Sequence, residues 1–170
     1  MRVISERGGT RRPGPGPWQR YGAATAAVAV TAAVGAAATG PDSTWYASLR
    51  RPSWQPPPWA FGLVWTPLYA SIACAAGHAL GRAPDRRRRA GIVRDLGANL
   101  ALNAAWSRLF FAHRAPKAAL AGDVLLNIGN AQLIRQIART DRAAAGALLP
   151  YAAWCAFAAA LNASIVRLNR

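Results

Sequence analysis

The chain has 170 residues, of which 53% are hydrophobic and only 16% are charged, and its formal net charge is +15. The low charged fraction excludes an ordinary soluble domain, and the high apolar fraction excludes a disordered chain. Because the charges are bunched between long apolar runs, the composition predicts a membrane protein with several spans.

The chain begins with a polar, basic segment that ends in a run of alternating proline and glycine at 13–17. We predict that residues 1–17 are a disordered basic tail and that residues 18–170 form a single transmembrane domain. The tail has no apolar core followed by a small-residue cleavage site, so we interpret it as a cytoplasmic extension rather than a cleaved signal.

Five apolar segments follow, most of them close to the roughly 20 residues that cross about 30 Å of hydrocarbon. They lie near 21–39, 59–80, 96–111, 118–137 and 143–168. The fourth is the most polar, because it contains Asp123, Asn127 and Asn130. The expected fold class is an all-α membrane protein, a bundle of five transmembrane helices.

The connection between the first two spans is rich in tryptophan and proline, and we call residues 45–57 the lid. Four prolines between Pro52 and Pro58 forbid a helix, whereas proline is tolerated at a first helical position, so the next helix should begin near Pro58. Trp54 and Trp59 allow two interpretations, a lid over a membrane-facing pocket or an aromatic belt at the lipid interface.

In the third span, Asn99, Asn103, Trp106 and Phe110 recur at helical spacing and share one face. Amides inside hydrocarbon are costly without partners, so this face should point inward. Two interpretations stay open: the asparagines bond neighbouring helices while Trp106 packs, or the face lines a ligand pocket.

A different face of the third span carries the small residues Gly97, Ala101 and Ala105. Small residues at every fourth position let a second helix approach closely. This face would serve either packing inside the bundle or formation of a homodimer.

The last span places Trp154, Ala158 and Asn162 on one face, so a wide ring stands beside the gap left by alanine. The second span contributes Trp65 and Tyr69, also four residues apart. Apolar pockets with a few placed polar groups suit flat hydrophobic ligands, and these faces together predict such a pocket.

Basic residues predict the orientation of the chain. Two thirds of its 21 lysines and arginines fall on the side of the N-terminus, so the positive-inside rule places the N-terminus in the cytoplasm and the C-terminus and lid outside. The arginine run at 86–89, read as part of the loop after the second span, would contact anionic lipid headgroups. It lacks a recognition helix or aromatic platform, so nucleic acid is not an expected partner. Arg50 and Arg51 could meet carboxylates of a ligand at the mouth.

Cysteine and histidine offer little chemistry. Cys74 and Cys155 fall inside spans with no second ligand at metal spacing, so neither a disulfide nor a metal site is predicted. His78 and His113 lie near span ends, where solvation is favoured over ligation of haem iron. The six acidic residues are scattered, so no acid and base pair supports a hydrolase or transferase.

Four ordered motifs carry a family resemblance: WYASLRRPSWQPPPW at 45–59, FGLVWTPLY at 61–69, LNAAWSRLFF at 102–111 and PYAAWCAFAAALN at 150–162. They resemble the TspO/translocator protein family, also called tryptophan-rich sensory proteins or peripheral-type benzodiazepine receptors. The resemblance implies a five-helix bundle, commonly a homodimer, that binds porphyrins such as protoporphyrin IX and haem, and in animal members cholesterol and benzodiazepine-type drugs. Sterol binding is not expected here, because Ser164 stands where the animal cholesterol motif has tyrosine.

The resemblance places the family's pocket beneath the first loop, and it agrees with the faces described above. No catalytic residue and no required cofactor are predicted, since porphyrin or haem would be a ligand. The expected ligand-binding residues are Trp45, Tyr46, Trp65, Tyr69, Asn99, Asn103, Trp106, Phe110, Trp154, Ala158 and Asn162.

Three functions remain open, in order of preference. The first is a membrane receptor or sensor for tetrapyrroles, with transport of porphyrin as an extension. The second is an enzyme that degrades porphyrin in light and oxygen, in which Trp65 and Trp154 would take part. The third is a transporter or structural membrane protein without a specific porphyrin site. Composition favours a bacterial cytoplasmic membrane, with an outer membrane as the alternative.

Overall fold

The computed structural model describes residues 16–40 and 43–170, and residues 1–15 of the predicted disordered tail lie outside that range. In the described part the chain is helical and contains no strand, which confirms the all-α fold class. The helices are α1 Pro17–Ala38, α2 Thr44–Ser48, α3 Pro58–Arg82, α4 Arg86–Ser107, a π-helical turn Arg108–Ala112, α5 Pro116–Ala138, α6 Arg142–Ala147 and α7 Leu149–Leu168.

Three helical stretches among the described residues are long and apolar enough to cross a membrane: Pro17–Ala38, Pro58–Arg82 and Arg142–Leu168. Helices α4 and α5 have the necessary length, with 22 and 23 residues. They are more polar, and α4 begins with four arginines. That the bundle has five transmembrane helices therefore stays a prediction.

The start of α4 corrects the sequence interpretation. The third span was expected to begin near 96, with the arginine run at 86–89 in the preceding loop, but the helix begins at Arg86. Positive charge at a helix N-terminus opposes the helix dipole. Asp85 offsets this, because its carboxylate caps the helix and accepts a hydrogen bond of 2.7 Å from the backbone N–H of Arg88.

The long helices pack as a ring. Helix α1 lies against α3 and α4, and α5 lies against α4 and α7. Helix α6 fills the space between α3 and α5, whereas α3 and α7 touch each other little. Apolar side chains that are more than half exposed point away from the ring, among them Val30, Leu63 and Ile128. Such an apolar outer surface is what a bilayer requires.

The small-residue face of α4 points outward. Gly97, Ala101 and Ala105 are all exposed, so they do not serve packing inside the bundle. The homodimer through this face stays a prediction.

One end of the bundle is held by a cluster of polar side chains. The Asp141 carboxylate is buried and lies 2.6 Å from the Arg82 guanidinium and 3.5 Å from His78 Nε2. His78 Nδ1 is 3.1 Å from the hydroxyl of Tyr21, so the cluster joins α1, α3 and α6. Asp141 also caps α6, accepting hydrogen bonds from the backbone N–H groups of Ala143 and Ala144.

This environment makes stability depend on pH. The backbone hydrogen bond from Ala144 and the neighbouring Arg82 hold the pKa of Asp141 below its ordinary value of 3.8, although burial opposes them. When the pKa of a carboxyl group is lower in the folded than in the unfolded state, its ionised form stabilises the fold. This stabilisation is complete at pH values above the ordinary pKa and is lost as the pH falls through the folded-state pKa. Asp141→Asn should therefore lower Tm at pH 7, and the difference from wild type should shrink only below pH 3.8.

Thermal unfolding of detergent-solubilised protein across this pH range is the measurement. Asp85→Asn is the matched control, because Asp85 also caps a helix but forms no ion pair within residues 16–40 and 43–170. Its Tm difference from wild type should be smaller at pH 7. A Tm difference for Asp141→Asn that is equal at pH 7 and at pH 3 would contradict the assignment.

Candidate functional site

A cavity of about 510 Å³ lies inside the ring of helices, bounded by α1, α3, α4, α5 and α7 and by Tyr46 of the lid. This volume falls within the range of about 300 to 1,000 Å³ that is typical of small-molecule sites. Its lining is mostly apolar, and its aromatic members are Tyr46, Phe61, Trp65, Tyr69, Trp106, Phe110, Phe111 and Trp154.

The aromatic rings form two walls. On one side Trp65 stacks on Tyr69 with ring centres 5.0 Å apart, and Phe61 of α3 meets Trp154 of α7 edge to face at 5.9 Å. Phe61 and Trp154 thus connect α3 and α7, which otherwise make few contacts. Offset and edge contacts of this kind hold ring planes at defined angles.

The opposite wall comes from the end of α4. Trp106 stacks on Phe110 at 5.2 Å, and Phe110 meets Phe111 edge to face at 4.9 Å. A π-helical turn adds one residue to each hydrogen-bonded loop, and here it begins at Arg108. Both phenylalanines consequently line the cavity, although they are adjacent in sequence.

The lid packs on the same end of the bundle. Tyr46 lies 5.4 Å from Phe111, and Trp54 lies 5.6 Å from Phe157 of α7. Gln55 donates a 3.0 Å hydrogen bond to the Tyr46 hydroxyl, which joins the two ends of the lid. Tyr46 thereby packs on the π-helical turn and Trp54 packs on α7, so the lid covers the helix ends rather than projecting from them.

The C-terminus fastens the lid. The side-chain oxygen of Asn169 accepts a 2.9 Å hydrogen bond from the Arg50 backbone N–H, and its amide nitrogen donates to the Arg50 carbonyl at 2.8 Å. The same nitrogen donates to the carbonyl of Ile165 in α7. The mouth is thereby tied to the last helix.

A chain of buried hydrogen bonds crosses the bundle beside the cavity. It runs from Tyr69 to the Asn103 oxygen at 3.2 Å, and from the Asn103 amide to the Tyr151 hydroxyl at 3.3 Å. Tyr151 then donates to the Asn99 oxygen at 2.9 Å, and Asn99 donates to Asn130 at 2.6 Å. This network joins α3, α4, α5 and α7, and each tyrosine and asparagine side chain in it forms at least one hydrogen bond to another helix.

The structure brings most of the expected ligand-binding residues together. Those that line the cavity are Tyr46, Trp65, Tyr69, Asn103, Trp106, Phe110, Trp154, Ala158 and Asn162. Trp45 instead packs edge to face on Phe110 at 5.7 Å, outside the lining. Asn99 is fully buried and bonds Asn130 of α5. It therefore follows the first of the two interpretations, in which the asparagines bond neighbouring helices. Ligand binding by the set stays a prediction.

Sequence reasoning missed several lining residues, and two of them, Asp123 and Phe111, bear on the chemistry of the cavity. Asp123 is 2% exposed and accepts a 2.9 Å hydrogen bond from Asn162. The signal for it was present, because a lone carboxyl group inside an apolar span is a functional candidate by default. Phe111 gave no signal, since ideal helical spacing turns it away from Phe110.

Neither histidine lines the cavity: His78 belongs to the polar cluster around Asp141, and His113 follows the π-helical turn. Among the described residues no group of three histidine, cysteine or acidic side chains could hold a metal ion. The chemistry that the cavity offers is aromatic stacking, apolar contact and a small number of hydrogen bonds.

Apolar outer helices around an aromatic cavity define a helical integral membrane protein with an internal cavity. The chain belongs to the TspO/MBR family, whose model matches residues 23–168. This result confirms the family resemblance of the four sequence motifs.

Named relatives cover most of the domain. The tryptophan-rich protein TspO of Chlorobaculum tepidum is 37% identical over 130 residues, which cover 76% of this chain and 82% of that protein. The tryptophan-rich protein TspO of Archaeoglobus fulgidus is 39% identical over 128 residues, 74% of this chain and 80% of the relative. The translocator protein of Homo sapiens is 34% identical over 126 residues, 74% and 75% of the two chains.

The buried network predicts a stability effect that is separate from the cavity. Asn99→Ala should destabilise the bundle by roughly 1 kcal/mol, because the Tyr151 hydroxyl loses its acceptor and the Asn130 oxygen loses its donor. The measurement is thermal unfolding in detergent. Asn127→Ala is the control, since Asn127 donates only to the backbone carbonyls of Asp123 and Cys155. Equal Tm shifts in the two variants would contradict the claim that the network of Asn99 stabilises the bundle more than an ordinary side-chain hydrogen bond does.

Proposed function

We propose that this protein is a membrane receptor or sensor that binds a tetrapyrrole in the aromatic cavity, with transport of porphyrin as an extension of that role. The observation that carries the proposal is the pair of facing aromatic walls, Trp65 with Trp154 on one side and Trp106 with Phe110 on the other. A flat conjugated ring gains stacking area from both walls at once. Ring stacking, rather than coordination of haem iron, is the proposed mode of binding.

The mouth supports a ligand with carboxylates. The Arg51 guanidinium lies over the Tyr46 ring at 5.2 Å from its centre, and Arg50 and Arg51 are both exposed. Tyr46 itself lines the cavity, so Arg51 stands at its edge. Propionate groups of a porphyrin would meet these two cations while the ring stays among the aromatic side chains.

A second candidate is degradation of porphyrin in light and oxygen. It is supported by the placement of Trp65 and Trp154 in the lining of one cavity, where a bound ring would lie beside both indoles. Excited porphyrin and dioxygen would oxidise the ring or the indoles, and no acid and base pair is required.

We further propose that the end bearing Arg20, Arg82 and the 86–89 run faces the cytoplasm, where anionic headgroups attract it. In the fold, the Arg20 guanidinium packs beside Gly81, next to Arg82 at the end of α3. The lid and the C-terminus then lie outside, in a bacterial cytoplasmic membrane.

The binding proposal predicts the effect of filling the cavity. Ala158→Leu should weaken protoporphyrin IX binding by about tenfold or more, because the added side chain occupies the gap beside Trp154. Titration in the dark, followed by tryptophan quenching, is the measurement. Ala160→Leu is the matched control, since Ala160 is exposed on the same helix, and its affinity should equal that of wild type. The proposal fails if purified protein shows no saturable quenching.

Illumination separates the receptor from the enzyme. Under binding alone, Trp65→Phe and Trp154→Phe should weaken affinity modestly, because the smaller ring keeps part of the stacking area, and the porphyrin absorbance should stay constant in light. Under degradation, wild-type protein should bleach the porphyrin bands, and the two variants should lose that activity far more than affinity. A stable absorbance with wild-type protein rejects the enzyme.

The orientation has its own test. A reporter that is active only outside the cytoplasmic membrane, fused after Arg170, should be active, and a reporter fused before Met1 should not. Replacing the four arginines at 86–89 by glutamine should reduce this asymmetry. An inactive C-terminal fusion from a stably expressed protein would reverse the proposed orientation.

A further inference from the structure

One corner of the cavity is polar, and three side chains from three helices form it. Asp123 of α5 and Asn162 of α7 are 2% and 1% exposed, and Trp106 of α4 lies beside Asp123. All three belong to the cavity lining. We call them the polar corner.

The hydrogen-bonding capacity of the polar corner is only partly used. The Asn162 amide nitrogen donates to Asp123 Oδ2, and the Trp106 indole N–H points at the same carboxyl group without completing a well-formed hydrogen bond. The Asn162 side-chain oxygen has no hydrogen-bond partner. Across residues 16–40 and 43–170, Asp123 Oδ1 accepts no hydrogen bond and Asp123 forms no ion pair. Aspartate therefore stands in the cavity wall with one oxygen unpaired.

Burial of a carboxylate with no cation beside it is costly in an apolar environment. The neighbouring lining side chains Leu126, Phe110 and Leu161 are buried and apolar, so the bundle itself offers no cation. The other buried carboxylates are satisfied, since Asp95 meets Arg94 and Gln132, and Asp141 meets Arg82. Asp123 differs from them because its free side faces the ligand space.

We propose that Asp123 accepts a hydrogen bond from an N–H group of the ligand, so that the cavity selects flat apolar ligands with a nitrogen-borne donor. The donor is either a pyrrole-type N–H or a protonated amine, and both make charge-assisted bonds to a carboxylate. The inference rests on the proposed function in one respect, that the same cavity is the ligand site. It adds the chemical feature that the ligand must present inside.

This assignment also orients the ligand. A carboxylate on the ligand is repelled by Asp123 and attracted by Arg50 and Arg51, so the acidic edge turns to the mouth and the N–H group turns inward. Asn162 accompanies Asp123 at the inner position, with its free oxygen as a second acceptor. The two ends of the cavity thus have opposite preferences.

A matched pair of flat probes tests the proposal on the unmodified protein. Carbazole carries one N–H, and 9-methylcarbazole replaces it with a methyl group on the same tricyclic ring. Titration of both, followed by tryptophan quenching in detergent, should show carbazole binding about tenfold tighter, because a hydrogen bond to a charged acceptor is among the stronger kinds. Equal affinities of carbazole and 9-methylcarbazole mean that no pyrrole-type N–H is recognised. The proposal is overturned if the protein also shows no preference for a protonated amine.

Variants locate the effect. Asp123→Leu removes the acceptor and should abolish the preference for carbazole, whereas Asp123→Asn keeps an oxygen and should retain part of it. Asn127→Leu is the control, because Asn127 lies one turn further along α5 and outside the lining, and its preference should match wild type. A preference that survives in folded Asp123→Leu protein, as judged by thermal unfolding, excludes Asp123.

A second pair distinguishes the two donor sources. With 1-(aminomethyl)pyrene and 1-(hydroxymethyl)pyrene, a protonated-amine site favours the amine, and Asp123→Asn removes that advantage together with the charge. A pyrrole-type site favours carbazole but not the amine. The absence of any preference within both pairs in wild-type protein rejects the proposal.

Protoporphyrin IX titrated into the same preparations separates this inference from the proposed function. Saturable porphyrin binding without an N–H preference overturns the role of Asp123 alone. An N–H preference without porphyrin binding overturns the tetrapyrrole proposal alone, and leaves Asp123 as the acceptor for another flat ligand.

Discussion

The hydrogen-bond chain from Tyr69 to Asn130 is the constraint on which the interior of this bundle depends. Alanine-rich helices bury little side-chain volume, so apolar packing alone does not define how α3, α4, α5 and α7 meet. The hydrogen-bond chain supplies direction, because a hydrogen bond forms only when donor and acceptor meet within a narrow range of distances and angles. Since Tyr69 and Asn103 belong to both the network and the cavity lining, the same bonds that join the helices also shape the ligand space.

The cavity exists because α3 and α7 do not close against each other along their length. The rings of Phe61 on α3 and Trp154 on α7 fill the gap between the two helices. Small residues such as Ala158 leave room for the cavity beside these rings. The lid completes the enclosure from one end, and its attachment to Asn169 makes the last residues of the chain part of the site. The first loop and the last helix therefore enclose this end of the cavity together.

The two ends of the molecule differ in chemistry. The end with Arg82 and Asp141 is a cluster of ion pairs and helix caps, in which charges are satisfied within the protein. The opposite end combines exposed arginines at the mouth with a single carboxylate inside. A closed salt-bridged end gives the bundle stability, whereas unsatisfied charge near the cavity leaves capacity for a ligand.

Sequence by itself determined the helical membrane class, the helix start at Pro58, and the faces carrying Trp106 and Trp154, because helical period and proline geometry are local properties. It also supplied the four motifs of the TspO/MBR family. Asn99 and Asn103 lie on one helical face and both bond other helices, and only the tertiary structure decided that Asn103 also lines the cavity whereas Asn99 does not. The π-helical turn, the helical start of α4 at Arg86 and the exposure of Asp123 to the cavity likewise depended on packing. Residue spacing along one helix cannot specify which side chains of other helices stand opposite it.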